Sequence, residues 1–171
     1  ICAYGLIYTA THDGEVLRGT ADGPAEVWVN TGGRPLGIEF GPDGVLYVAD
    51  AFRGLMAVSA DGQLRLLTDQ VDGTPILYAN DLDVASDGRI YFTDSSMRFS
   101  AAAEGSTLAA SVLDLVEHSA TGRVLCFDPA SGGTEVLATG LSFANGLALT
   151  ADESAILVLE TGGYRMWRYP I

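Results

Sequence analysis

The 171-residue sequence predicts an all-β protein, a β-propeller of about four blades with one inserted helix. The first observation is a segment that recurs three times, at Leu36 to Asp50, Asn80 to Asp94 and Asn145 to Glu160. Each copy reads as a short alternating strand, a polar turn and an apolar strand. A lone hairpin cannot bury its faces, so a chain that repeats one is stacking a supersecondary unit. The second observation is spacing. Asp43-Gly44 and Asp87-Gly88 are 44 residues apart, within the period of about 40–50 of a four-stranded blade. The third interval is longer by one insertion, residues 99–118. An incomplete fourth copy, Gly5 to Arg18, would have its first strand ahead of Ile1. The expected blades are residues 1–30, 34–68, 80–138 and 143–171.

The elements follow in order. Leu6-Ile-Tyr-Thr9, Val45-Leu-Tyr-Val-Ala49 and Ile90-Tyr-Phe-Thr93 are β-branched and aromatic runs beside Asp-Gly turns, which marks them as central blade strands. The outer strands are Leu55 to Val58 with Gln63 to Leu67, then Arg123 to Phe127 with Thr134 to Leu137, and Tyr164 to Tyr169. Gly and Pro between them supply the turn angles. The exception is Ser106 to His118, where Leu108, Val112, Leu115 and Val116 recur at helical spacing and Ser106 or Thr107 can cap the start. Placed between the middle strands of one blade, this helix should lie over one end of the propeller.

Composition narrows the function classes. Apolar residues make up 48% and there are 21 glycines, as buried strands joined by tight turns require. Nine basic against 22 acidic residues give a net charge of −13, which repels phosphate backbones and anionic headgroups. Nucleic acid and membrane surfaces are therefore not expected partners; a small-molecule substrate is. No apolar run reaches the 18 residues of a spanning helix. Ile1 is not a natural start residue, so preceding residues are expected. Cys2 and Cys126 form no CxxC pair and read as small buried apolar side chains.

In a propeller the innermost strand of each blade lines the channel, so equivalent positions form a ring. Aligned on the turns, Leu36, Asn80 and Asn145 share one column, and two neighbouring blades aim an amide at the same place. An Asn oxygen is a hard neutral ligand suited to Ca²⁺, which takes six to eight oxygens. Asn80 and Asn145 are thus candidate metal ligands for a divalent cation, though carboxylate charge must come from elsewhere. Asp81 is adjacent, but strand alternation sends it to the other face unless the strand bends. Taken singly, each Asn also reads as a strand-opening residue capping its own backbone. Asp50, Asp94 and Glu160 form a second column expected to accept hydrogen bonds from turn backbone. His12 and His118 read as turn and helix-end residues.

Gly33-Arg-Pro-Leu-Gly37, Leu46-Tyr-Val-Ala-Asp-Ala51, Asn80-Asp-Leu82, Tyr91-Phe-Thr-Asp-Ser-Ser96 with Arg98-Phe99, Thr121-Gly-Arg123 and Phe143-Ala-Asn-Gly146 resemble the strictosidine synthase-like family. That group includes the adipocyte plasma membrane-associated proteins and is related to the gluconolactonase/senescence marker and paraoxonase families. The resemblance implies a six-bladed propeller with a divalent ion in its channel, held in the lactonase relatives by a Glu, two Asn and an Asp. Asn80 and Asn145 match the two Asn. The Glu should precede Ile1 and the Asp should follow Ile171, and the paraoxonase histidine of blade two falls at Leu36. The expected activity is metal-dependent hydrolysis of a lactone or aryl ester. Two alternatives stay open: an amine–aldehyde condensing enzyme using a late glutamate, and a non-catalytic module that pairs as a homo-oligomer through exposed blade edges.

Overall fold

The computed structural model describes residues 1–171, arranged as successive antiparallel sheets whose strand order follows the sequence. Blade one is β1 (Cys2–Ala3), β2 (Leu6–Ala10), β3 (Glu15–Gly19) and β4 (Glu26–Asn30). Blade two is β5 (Pro35–Phe40), β6 (Leu46–Asp50), β7 (Gly54–Val58) and β8 (Leu64–Thr68). A small hairpin, β9 (Gln70–Val71) with β10 (Thr74–Pro75), leads into blade three. That blade comprises β11 (Ala79–Val84), β12 (Ile90–Asp94), β13 (Gly122–Asp128) and β14 (Gly133–Leu141), with α1 (Thr107–Glu117) inserted between β12 and β13. The last sheet has three strands, β15 (Ala144–Leu149), β16 (Ala155–Glu160) and β17 (Arg165–Pro170).

The innermost strand of blade one was expected ahead of Ile1, yet Cys2 and Ala3 already pair with Ile7 and Leu6. Tyr4 and Gly5 both take positive φ at that turn, which reverses the chain within two residues. Cys2 is exposed, contrary to its sequence reading, because this short strand has little packed against it. Cys126 is buried, and burial pushes its thiol up to about 11.

Strands β6 and β12 are buried along their whole length, as sandwiched central strands must be. Strand β2 is not, because only one of its faces meets another blade. The core lies between blades. Val16, Leu46, Val48, Met56 and Val58 fill the seam of blades one and two, and Leu55, Phe92, Leu125 and Phe127 belong to the seam of blades two and three. The innermost strands β5, β11 and β15 pack side by side, which is the radial order of a propeller.

Helix α1 begins at Ser106, whose hydroxyl accepts the Ala109 N–H, and ends at His118 in left-handed geometry with its N–H on the Asp114 carbonyl. Its apolar stripe does not face the core. Leu108 is 71% exposed and Val116 82%, while Ala110 and Asp114 are the buried positions. Small Ala110 lets the helix backbone settle closely on the blade ends, and the large side chains are left outward. No helix is long and apolar enough to cross a membrane.

One buried ion pair ties blade three together. Arg123 donates through Nε and Nη2 to Asp94 Oδ2, and through Nη2 also to the Pro75 carbonyl, with both side chains almost wholly buried. Breaking such a pair by removing one partner strands the other charge in a low-dielectric site. Arg123→Leu should therefore lower stability by about 3–5 kcal/mol, read as a reduced midpoint in urea unfolding.

Candidate functional site: the channel end beneath helix α1

In blades two, three and four the innermost strand begins with a break in register: between Pro35 and Ile38, between Ala79 and Leu82, and between Ala144 and Leu147. A bulge re-aims the residues within it. The bulged residues include the column read from sequence, namely Leu36, Asn80 and Asn145.

A carboxylate at the end of each neighbouring strand holds the entry to these bulges. Asp50 Oδ1 accepts the Arg34 N–H, Asp94 Oδ1 the Tyr78 N–H and Glu160 Oε1 the Ser142 N–H, at 2.8–3.0 Å. This is the backbone role expected of that column. The approach is close enough to constrain sequence, since a Cβ at Gly33 would stand 2.3 Å from Asp50 Oδ1. In blades three and four an arginine stands opposite the carboxylate, Arg123 and Arg165; blade two has Gly54 there, and Asp50 Oδ2 is buried without a partner.

The two amides are held alike. Asn80 Nδ2 donates to Ser95 Oγ at 2.9 Å, and Asn145 Nδ2 donates to Thr161 Oγ1 at 3.1 Å. Ser95 and Thr161 are each the residue after the column carboxylate, so the same device recurs in both blades. Neither Oδ1 accepts a hydrogen bond from the chain, which leaves both oxygens available to a ligand. Leu36, in the same column, instead packs on an apolar cluster.

Hydroxyls stitch the two blades at this point. Ser95 Oγ also donates to the Ala144 carbonyl at 2.5 Å. Thr93 Oγ1 accepts the Asp81 N–H and donates to the Asn145 carbonyl at 2.8 Å. Asp81 reaches across as well, its Oδ2 accepting the Leu147 N–H at 2.9 Å. The bulge supplies the bend that this needs, and burial raises the Asp81 carboxyl above the ordinary range.

Helix α1 covers this end because it interrupts the chain where β12 finishes and β13 starts, beside the first residues of β11. Ala110 packs in a cluster with Ala51, Tyr78, Ala101 and Phe143. The rings of Tyr78 and Phe143 meet edge to face at 5.3 Å, and Tyr78 Oη donates to the Thr107 carbonyl. These two aromatics precede Asn80 and Asn145 by two residues each, so the helix rests on the entries of both amide-bearing strands. At its far end His118 Nδ1 lies 3.2 Å from the hydroxyl of buried Ser142.

Sequence reading singled out Asn80 and Asn145 but missed Thr93, Ser95, Thr161 and Ser142. A signal for two of them was present, because Ser95 and Thr161 follow the column carboxylates at matching places. As donors for an ion, two amide oxygens have suitable chemistry for a hard cation but bring no charge. No three His, Cys, Asp or Glu side chains converge anywhere in the chain, at this site or another, as a metal-holding group.

The strictosidine synthase family model matches residues 80–171, more than half of the chain. The chain belongs to the strictosidine synthase family. It is 41% identical over 172 residues to protein strictosidine synthase-like 7 of Arabidopsis thaliana, covering 97% of this chain and 44% of that protein. It is 39% identical over 183 residues to the adipocyte plasma membrane-associated protein of Salmo salar, covering 95% and 42%. The chain thus spans less than half the length of these curated relatives. Among solved structures, a gluconolactonase from Xanthomonas campestris superposes with a TM-score of 0.77 at 24% identity, over 97% of this chain and 54% of that one. Regucalcin from Agrobacterium tumefaciens, a calcium-binding protein, gives 0.70 at 16% identity, over 98% and 50%. These likenesses establish the propeller fold.

The stitch between blades three and four is testable without touching the amides. Thr93→Val keeps the shape of a buried side chain but orphans the Asp81 N–H and the Asn145 carbonyl. A loss of about 1–3 kcal/mol is expected in denaturant unfolding.

Proposed function

We propose that the intact protein is a divalent-cation-dependent hydrolase of lactones or aryl esters, with its site at the channel end under α1. The observation that carries this reading is the matched anchoring of Asn80 and Asn145, whose amide nitrogens are bonded within their own blades and whose oxygens are free. They would supply two neutral ligands to Ca²⁺. The family pattern puts a Glu and an Asp outside residues 1–171. The solved relatives described as a gluconolactonase and as calcium-binding support the same choice.

The bound ion would polarise the ester carbonyl and stabilise the developing oxyanion. The chain's own residues do the positioning. Ser95 and Thr161 restrict the amides to one orientation, which lowers the ordering cost of binding. Leu36, Phe52 and Phe99 pack against the apolar cluster under the helix, an apolar surface suited to the ring of an aryl ester or the carbon skeleton of a lactone.

A second reading is favoured by the family match itself: condensation of an amine with an aldehyde through a general acid–base glutamate. The retained amide pair speaks against it. Assays of the intact protein with phenyl acetate and simple lactones separate the two. Activity should be abolished by chelator, restored by Ca²⁺, and reduced by Asn80→Ala and Asn145→Ala through a raised metal requirement. Hydrolysis indifferent to chelator would overturn the metal mechanism.

A third reading, separate from the hydrolase, is that the 171-residue chain is a non-catalytic module that self-associates through its blade edges. Leu159, Met166 and Trp167 are exposed on the last sheet, in which β17 is the outermost of three strands. Sedimentation velocity should return a concentration-dependent dimer, and a strict monomer would remove the idea.

A further inference from the structure

At the end of the propeller opposite the amides, the turns joining β1 to β2, β5 to β6 and β7 to β8 surround a recess of about 420 Å³. It straddles the seam of blades one and two. Tyr4, Tyr8, Trp28 and Phe40 form its walls, with Arg18 at one side and Asp43 at the rim. The rings meet one another at centroid distances of 5.0–5.4 Å for Tyr4–Phe40, Tyr8–Phe40 and Tyr8–Trp28.

Its lining offers the Trp28 indole N–H and the Arg18 guanidinium as donors and the Tyr4 and Tyr8 hydroxyls as groups that can donate or accept. The Trp28 indole N–H and the Tyr4 and Tyr8 hydroxyls bond to nothing in the chain and are not among its buried partnerless atoms, so they open to the recess. Arg18 uses only Nε, on Glu26 at 2.8 Å, and its guanidinium stands 5.4 Å from the Trp28 ring centroid with both terminal nitrogens unengaged. The one carboxylate in the lining is spoken for: Asp43 Oδ1 accepts the Val45 N–H and Oδ2 the Tyr47 hydroxyl.

We propose that this recess is a second small-molecule site, separate from the channel, that takes a planar aromatic carboxylate. The ring would lie along the Trp28–Phe40 wall, and the carboxylate would meet the terminal nitrogens of Arg18 and the indole N–H. Charge-assisted bonds to a guanidinium fork are the strong ones available here. A quaternary ammonium fits less well. Arg18 already stands over the Trp28 ring, and its positive charge at the recess would repel a second cation.

The test is a titration of the intact protein with 4-hydroxycinnamate, following the Trp28 indole N–H cross-peak by NMR. The peak should move saturably with a dissociation constant of about 1 mM or tighter. Arg18→Gln should weaken binding about tenfold or more, with the rest of the spectrum showing an intact fold. Cyclohexanecarboxylate should bind more weakly for want of a planar ring. A peak that stays still, a peak that moves with choline instead, or an Arg18→Gln variant with unchanged affinity would each overturn the assignment. The amide pair lies at the other end, so these outcomes leave the hydrolase reading untouched.

Discussion

The arrangement of blades two to four depends on a carboxylate at the end of the second strand that grips the backbone entering the strand inside it. Asp50, Asp94 and Glu160 bond the N–H groups of Arg34, Tyr78 and Ser142 at nearly equal distances. This contact decides where each innermost strand starts, and the start decides which residues fall in the bulge. The bulge in turn lifts Asn80 and Asn145 out of simple alternation. Without the grip, one residue of slippage would exchange the two faces of the strand.

Cost explains how the three grips differ. A buried carboxylate is tolerable only when its charge is matched or its oxygens are bonded. Asp94 has the guanidinium of Arg123, buried with it. Glu160 has Arg165 on a more exposed strand and the Trp167 indole N–H besides. Asp50 faces Gly54 and leaves one oxygen without a partner. Blade two is also the blade whose column residue is Leu36 rather than Asn, so its inner strand contributes apolar packing and not an amide.

Helix α1 couples shielding to the site. It is fastened through Ala110 and the Tyr78 hydroxyl to the residues that lead into both amide-bearing strands. A shift of the helix would therefore be felt at Asn80 and Asn145 through a short chain of packed groups. Its outward apolar residues reverse what its periodicity implied. The periodic stripe identified a helix correctly, but which face it buries was settled by how close the backbone had to approach the blade ends.

Hairpins, turns and strand order were legible in the sequence, as were the amide column and the carboxylate column. All are local: a strand pairs with its chain neighbour, Asp-Gly sets the turn between them, and repetition fixes equivalent positions. The pairing of each amide with Ser95 or Thr161 lay within that reach, at one remove. The contacts that join blades did not. Ser95 to Ala144, Thr93 to Asn145 and Asp81 to Leu147 span 49, 52 and 66 residues, and the aromatic recess assembles from four separate strands and turns. No periodicity encodes such meetings, because they depend on the angle and distance at which finished sheets pack, and those are set only when the blades close around one axis.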